Sequence, residues 1–477
     1  KVQDNDSLLI CAFEVKKPLS ERAGKKAQYD KAKAILKATE NQIYCAGIFI
    51  FYDANGHFRF SLIYPESIGT KRQWNNFRRF TYFVSKEFTN KTFLKQIGDK
   101  EFHKFDDIKA AFSITAVTDL FYDEFFKVYD KIVKETKNIN SIANDEEARD
   151  FVLLFTVRTI FLGFIQKKKW LGEDEKFIQN FYKEYKSKLS GKNKFYSRWI
   201  APLFFEALNS PQGRKVAYQD NDFSKETETK LQMAPYLNGG LFKQKDRYDT
   251  KGWIIPDKEI QDFFDFLFSH SFTIEENSLV DEDLQLNPEF LGIIFERFIN
   301  KADGSVYTPR TEVSMMCRLS LLKWLEKNLE SKVRPENLYE LFFQESDKED
   351  EQKHGSFSKK EVQEILLKLE NLAVCDPGVG SGAFLVGMMQ VLDEVEQSLK
   401  EIYGLNGSSV FERKKQIIKN SLYGVEVKEW AVWICQLRLW LSLFVDAPDE
   451  LKNSLEPILP SLDFKVRQGD SLVQRIG

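Results

Sequence analysis

The sequence predicts a multidomain α/β protein: an N-terminal α/β domain, a helical connector, and a C-terminal domain built as a doubly wound, Rossmann-like parallel sheet. Three observations carry this. A strand–helix–strand–strand pattern fills residues 8–64, a long stretch with apolar residues three and four apart follows, and from Leu372 onward strands alternate with helices around a glycine-rich turn. The domains are placed at 1–105, 106–300 and 301–477, the last of them incomplete. A chain of 477 residues exceeds the ~250–300 at which single cores stop growing, so more than one domain is expected.

In the first domain Leu8–Val15 reads as a strand and Glu21–Thr39 as a charged helix. Tyr44–Tyr52 and Phe58–Tyr64 read as a hairpin, because Asp53-Ala54-Asn55-Gly56 places Asn-Gly between two alternating runs. From Asp106 to Ala207 Gly and Pro nearly vanish, and Phe151, Leu154, Phe155, Arg158, Phe161, Leu162 and Ile165 recur at helical spacing. A break at Tyr236-Leu237-Asn238-Gly239-Gly240-Leu241-Phe242 precedes a helix over Pro288–Ile299 with Asn287 as its cap. Ser346–Lys360 is nearly all charged and polar and reads as a solvated loop. The last domain runs strand Leu372–Cys375, helix Ala383–Leu399, helix Phe411–Asn420, strand Ser421–Val427 and helix Glu429–Phe444. Ligands of such sheets bind at the carboxyl ends of the strands.

Composition excludes some classes. With 43% hydrophobic residues the chain has ample core material and is not disordered. A net charge of −3 rules out a globally basic nucleic-acid binder but not a local basic cluster. Cys11, Cys45, Cys317, Cys375 and Cys435 form no C-x-x-C pair, which suits a reducing cytoplasm and small buried hydrophobes more than zinc. The most apolar stretch, Trp430–Val445, is interrupted by Gln436 and Arg438 and is shorter than the ~20 residues a bilayer requires. Lys1-Val2-Gln3 opens without Met or a signal pattern, close to a strand, so the sequence reads as a piece of a longer chain.

The central chemical signal is Asp376-Pro377-Gly378-Val379-Gly380-Ser381-Gly382-Ala383-Phe384, between an apolar strand and an apolar helix. Its glycines let backbone approach a ligand, and the helix N-terminus offers amide N–H groups. The order is G-x-G-x-G, not the dinucleotide G-x-G-x-x-G, and no Walker lysine follows. An acid at the first strand end suits ammonium and sulfonium groups, as in S-adenosyl-L-methionine, better than a pyrophosphate. Glu426, in Tyr423-Gly424-Val425-Glu426, ends the next strand and is placed to accept two ribose hydroxyls.

These residues resemble the gamma-type N6-adenine DNA methyltransferases, whose motif I is D-P-x-x-G-S-G-x-F/L and whose motif II ends a strand in G-V-[DE]. Upstream, Tyr307, Thr308 and Pro309 resemble the family's cofactor-contacting Y-T-P; downstream, Gly469-Asp470-Ser471-Leu472 resembles motif III, placing Asp470 near the cofactor adenine. The resemblance implies a cofactor set of Tyr307, Thr308, Pro309, Asp376, Pro377, Gly378, Gly380, Ser381, Gly382, Phe384, Glu426 and Asp470. The family's catalytic N-P-P-Y does not occur in the sequence. It is expected beyond Gly477, so the chain as given should bind cofactor without transferring methyl groups.

A second signal is Glu14-Val15-Lys16 at the end of an apolar strand, followed by a helix containing Gln28. It resembles the second half of a PD-(D/E)xK nuclease site, which implies Glu14 as an Mg²⁺ ligand, Lys16 as a catalytic cation and Gln28 as an accessory residue. The preceding acid of that pattern is expected ahead of Lys1, since Asp4 and Asp6 sit in a polar turn. Leu162–Leu171, Leu237–Phe242 and Leu291-Gly292-Ile293-Ile294-Phe295-Glu296 resemble segments of single-chain type IIG restriction–modification enzymes. This implies an enzyme that cleaves double-stranded DNA and methylates adenine, with Lys71–Arg79 as a further DNA-contacting or merely solvated segment. The rivals are a modification-only methyltransferase with an inactive nuclease-like domain, and a non-catalytic DNA-binding subunit.

Overall fold

The computed structural model describes residues 7–19, 25–38, 44–68, 71–75, 81–86, 90, 93–112, 114–189, 191–211, 223–237, 240–272, 285–286, 291–292, 294–295, 308, 310–343, 357–405 and 407–473. The chain divides into two compact units, one of residues 1–129 with 263–291 and one of residues 130–262 with 292–477.

In the first unit the described strands are β1 (Ser7–Glu14), β2 (Tyr44–Tyr52), β3 (Phe58–Ile63), β4 (Pro65–Ile68), β5 (Lys71–Trp74) and β6 (Thr81–Val84). Helix α1 (Lys25–Ala38) crosses between β1 and β2, which pair in parallel; β3 and β6 add antiparallel, giving the order β1-β2-β3-β6. The parallel pair follows from the helical crossover, and the antiparallel pair from the short turn at residues 53–57. Asp53 organises that turn: its carboxylate accepts from Leu19 N (2.7 Å), Asn55 N (2.9 Å) and His57 N (3.0 Å).

Side-chain alternation gives this sheet two apolar faces. One packs Phe49, Phe51 and Ile63 against Ala32 and Leu36 of α1, with Leu9, Cys11, Phe13 and Val15 of the β1 segment joining them. The other packs Ala46, Ile48, Leu62, Tyr64 and Tyr82 against Ile108 of α2 (Phe105–Ala111) and Phe112, with Leu8 at its edge. Further on, α3 (Ile114–Asn140) contributes Phe121 and Phe125, which meet Phe266, and the short strands β7 (Ser271–Phe272) and β8 (Gln285–Leu286) pair in parallel.

The second unit is built around α4 (Asp145–Lys167), in which every side chain from Phe151 to Gln166 is buried. A helix apolar on all sides belongs at the centre of a fold. Within that buried run the one charge is Arg158, and its guanidinium donates to Asp249 Oδ1 (2.8 Å) and Oδ2 (2.9 Å), Leu241 O (2.9 Å) and Lys243 O (3.1 Å). Tyr196 OH (3.0 Å) and Lys245 N (2.7 Å) also donate to Asp249. The unit also holds α5 (Phe177–Leu189), α6 (Lys225–Gln232) and the first residues of α7 (Asp257–Phe268), with Tyr185 OH donating to Asp257 Oδ2 (2.6 Å).

The later part of this unit holds α8 (Arg310–Asn328), α9 (Pro335–Phe343), α10 (Lys359–Glu370), β9 (Val374–Asp376), α11 (Ala383–Ile402), α12 (Val410–Asn420), β10 (Leu422–Glu426), α13 (Glu429–Phe444) and β11 (Val466–Gln468). The three strands are parallel in the order β11-β10-β9, with Leu422 opposite Val374 and Glu426 opposite Gln468. Lys359 and Lys360, expected in a loop, instead open α10, because Ser358 and Glu361 form a reciprocal capping box. Among the cysteines Cys317 and Cys435 are buried, but Cys375, expected inside, is exposed on β9. Among the described residues no helix is long and apolar enough to cross a membrane.

Replacing Arg158 by Met should destabilise this unit by about 3–5 kcal/mol, because it strands a buried carboxylate, whereas Arg158→Met with Asp249→Leu should recover most of the loss. Urea denaturation of the single and double variants measures this; equal losses in both would mean that packing, not charge, dominates the site.

Candidate functional site

The three parallel strands deliver three loops to one edge, and backbone hydrogen bonds fasten them together. After β9, Val379 N donates to Val425 O (3.0 Å) and Gly380 N to Glu426 Oε2 (2.9 Å), so the glycine-rich loop is tied to the end of β10. Lys428 N donates to the other oxygen of Glu426 (3.1 Å), and Gly469 N donates to Glu426 O (2.9 Å), tying in the loop after β11. Ser471 Oγ donates to Pro377 O and closes the ring of loops. Sequence reasoning singled out Pro377 and Glu426 but not this clasp, whose only local trace is the hydroxyl of Gly-Asp-Ser.

The glycines divide by role. Gly382 has φ +85°, and a Cβ there would stand 2.5 Å from Cys435 Sγ on α13, so the start of α11 sits directly on that helix. Around Gly378 and Gly380 a Cβ would meet nothing within 4 Å, so the loop faces open space. Ser381 is buried, with Arg438 Nη1 donating to its carbonyl (3.2 Å) and hydroxyl (2.8 Å). Phe384 lies one residue into α11, its carbonyl 3.8 Å from Cys317 Sγ.

Three carboxylates lie at or just after the ends of the strands that carry these loops. Asp376 ends β9 and accepts from Gly378 N (3.1 Å); Glu426 ends β10; Asp470 follows β11 and accepts from Leu472 N (2.9 Å). Among the described residues no Lys or Arg lies within ion-pair distance of any of them. Burial raises the Asp376 carboxyl, the Glu426 charge adds to the rise, and the Gly378 N–H opposes it. Burial likewise pushes the Cys435 thiol up to about 12, with Arg438 opposing and the charges of Asp376 and Glu426 adding. A carboxylate offers about four lone-pair sites, of which the hydrogen bonds above use two at Glu426 and one at Asp470, leaving acceptors for hydroxyl, amine or sulfonium groups. Thr308 is half-buried; Tyr307 and Pro309 lie outside the described residues.

In the first unit, Glu14 ends β1 opposite Tyr52, and Lys16 follows, both exposed. Strand parity turns Glu14 away from Phe13 and hence away from the α1 face. Gln28 lies on the α1 side, its carbonyl oxygen accepting from the buried Arg59, whose guanidinium burial lowers to about 10. Gln28 is thus engaged by Arg59, on the face from which Glu14 is turned away. Among the described residues no group of three His, Cys, Asp or Glu could enclose a metal ion. Of Lys71–Arg79, residues 76–79 lie outside the described residues, while Asn75 is buried, donating to Leu62 O (2.7 Å) and accepting from Tyr64 N (3.0 Å).

Residues 348–472 match the family described as MmeI, DNA-methyltransferase domain. Over 339 residues, 69% of this chain and 28% of the relative, the sequence is 31% identical to the putative type II restriction enzyme and methyltransferase RM.MjaORFECS2P of Methanocaldococcus jannaschii. The chain is a homologue of type II restriction enzyme–methyltransferase fusions. It is also 25% identical over 173 residues to the type II restriction enzyme and methyltransferase RM.Eco57I of Escherichia coli, covering 29% of this chain and 17% of that one. The chain thus spans less than a third of the length of these curated relatives. A structure of the type IIL restriction-modification enzyme MmeI in complex with DNA aligns with a TM-score of 0.42 at 18% identity, over 74% of this chain and 40% of that one.

Gly378→Ala and Gly382→Ala should separate binding from folding. Gly382→Ala should lower the unfolding midpoint, since a left-handed non-glycine residue costs about 1–2 kcal/mol before the contact with Cys435 is counted. Gly378→Ala should leave stability within about 0.5 kcal/mol and alter only what enters the open space. Thermal unfolding of both variants checks this, and similar midpoints would refute the division.

Proposed function

We propose that this chain is part of a type IIG-like restriction–modification enzyme in which residues 301–477, read as a doubly wound sheet, bind S-adenosyl-L-methionine for methylation of adenine N6 in double-stranded DNA. Residues 106–300 serve as the helical connector and residues 1–105 as the nuclease-like domain. The observation that carries the methyltransferase reading is the edge of three carboxylates, Asp376, Glu426 and Asp470, around an open glycine-rich loop with no basic partner among the described residues. Such an edge suits a ligand with cationic and hydroxyl groups and disfavours a pyrophosphate.

When bound, S-adenosyl-L-methionine supplies a methyl group activated on a sulfonium. Asp376 would hold positive charge beside the loop, Glu426 would accept ribose hydroxyls, and Asp470 would accept from the adenine edge. Gly378, Gly380 and Gly382 would let backbone approach, with Pro377, Ser381 and Phe384 fixing the loop and Tyr307, Thr308 and Pro309 lining the other side. The lone pair of adenine N6 is delocalised into the ring, which makes it a poor nucleophile, so transfer also requires the base flipped out and held by groups of the N-P-P-Y kind. No residue of this sequence is assigned to that role.

Cofactor affinity should depend on pH through Asp376. A carboxyl raised in the free protein is ionised only above its raised pKa, and a cation prefers the ionised form. Affinity is therefore present above that pKa and lost as pH falls through it, above the usual carboxylate value of about 4. Calorimetric titration should show this loss in the native protein and a flatter profile in Asp376→Asn, while Glu426→Ala should lose about 1.5–3 kcal/mol at neutral pH. Undiminished binding by Glu426→Ala would remove that residue from the site.

For the first domain, Glu14 and Lys16 stand together at a strand end, which supports the nuclease reading. Glu14 alone does not complete an Mg²⁺ site. In the full-length enzyme, Mg²⁺-dependent cleavage of duplex DNA should disappear in Glu14→Ala and Lys16→Ala, and persist at full rate in Gln28→Ala, which faces Arg59. Full cleavage by Lys16→Ala would place the cutting site elsewhere, whereas absence of cleavage by the native full-length enzyme would favour the modification-only enzyme.

A further inference from the structure

The segment Leu291-Gly292-Ile293-Ile294-Phe295-Glu296 has no part in the chemistry above, yet the structure gives its glycine a reason. Leu291 and Gly292 are helical and buried, and a Cβ added to Gly292 would stand 2.7 Å from both Nε and Nη2 of Arg438 and 2.8 Å from Cζ. The Nε/Nη2 side of the guanidinium therefore lies close against the backbone at Gly292, nearer than a Cβ there would allow without movement. Its Nη1 reaches in the other direction, to the carbonyl (3.2 Å) and hydroxyl (2.8 Å) of Ser381. Ser381 immediately precedes Gly382, the cap of α11, which rests on Cys435 one turn before Arg438 on α13.

We propose that Arg438 is a positioning residue for the methyl-donor loop and that Gly292 is its seat. Gly292 leaves the guanidinium the room from which a single nitrogen serves both acceptors of Ser381. That double hydrogen bond sets the height of the loop over α13, and with it the direction of the Gly380 N–H towards Glu426. Lysine could not replace Arg438, because an ammonium is neither planar nor able to lie against backbone in this way. A flexible side chain could swing away from an alanine at position 292, but only by leaving Ser381.

The proposal rests on reading this loop as the methyl-donor site, so its test includes a measurement made without ligand. Hydrogen exchange of residues 378–384 in the ligand-free protein, and calorimetric titration with S-adenosyl-L-methionine, are compared for the native chain, Arg438→Lys, Arg438→Gln, Gly292→Ala and the double variant Gly292→Ala/Arg438→Gln. Arg438→Gln should speed exchange in the loop and weaken binding about tenfold, the scale of one charge-assisted hydrogen bond. Arg438→Lys should do nearly as much. Alanine is a better helix former than glycine, so Gly292→Ala should keep or raise the unfolding midpoint. It should nevertheless loosen the loop, and the double variant should be no worse than Arg438→Gln. Unchanged loop exchange in Gly292→Ala, or additive effects in the double variant, would overturn the proposal. Failure of the native chain to bind the cofactor would overturn the functional reading, while the exchange comparison would still decide the role of Arg438.

Discussion

A buried arginine needs a carboxylate, and much of the second unit is arranged to supply one. Arg158 stands in the middle of the stretch of α4 from Phe151 to Gln166, which is buried on all sides, where an unpaired cation would be prohibitively costly. Its partner Asp249 lies 91 residues on, in an irregular segment that would otherwise have little reason to stay folded against a helix. The ion pair, two carbonyls, Tyr196 and Lys245 fix that segment from Leu241 to Asp249. Just before it, Tyr236 and Leu237 accept from Ile458 N (3.0 Å) and Leu459 N (3.3 Å), which carries the same order towards the chain that enters β11.

The consequence for the site is geometric. Helix α13 is held on one side by this assembly, through the edge-to-face contact of Trp433 with Tyr248 and of Phe444 with Trp170. Its other side supports the edge of the sheet: Cys435 meets the start of α11, Gln436 donates to Val466 O (3.1 Å) in β11, and Arg438 reaches Ser381. One helix thus sets the positions of two of the three loops that form the site, and the third begins where α13 itself begins. The precision of a binding edge made of loops comes from the rigidity of the helix beneath them.

What was legible in the sequence follows from this division of labour. The strand ends at Asp376 and Glu426 and the whole span of Glu429–Phe444 could be read, because each is written in local periodicity and in a turn chemistry that only glycine satisfies. The hairpin at Asp53–Gly56 was legible for the same reason. Arg158 was visible only as one member of an apolar stripe, since nothing near it in sequence announces Asp249. Gly292 stood out only as part of a segment resembling type IIG enzymes, because its partner Arg438 is distant in the chain. Lys359 and Lys360 were misread because their charge was weighed and the capping residue Ser358 was not. Local pattern reports elements; the pairings that position a site are long-range and leave single residues as their only trace.

The carboxylate edge then acquires a further meaning. A fold that gathers acids at the ends of adjacent parallel strands, and leaves them without basic partners among the described residues, holds electrostatic tension that packing cannot relieve. At Asp376 this tension is visible as a carboxyl raised by burial and by the neighbouring Glu426. The hydrogen bonds from Gly380 and Lys428 to Glu426 relieve part of it with neutral donors, which orient the carboxylate without cancelling its charge. A lysine in their place would cancel that charge and, under the proposed function, remove the basis for preferring a cationic ligand. The backbone clasp is therefore the arrangement that allows order and unneutralised charge to coexist, and a preorganised charge of this kind is what differential recognition of a sulfonium requires.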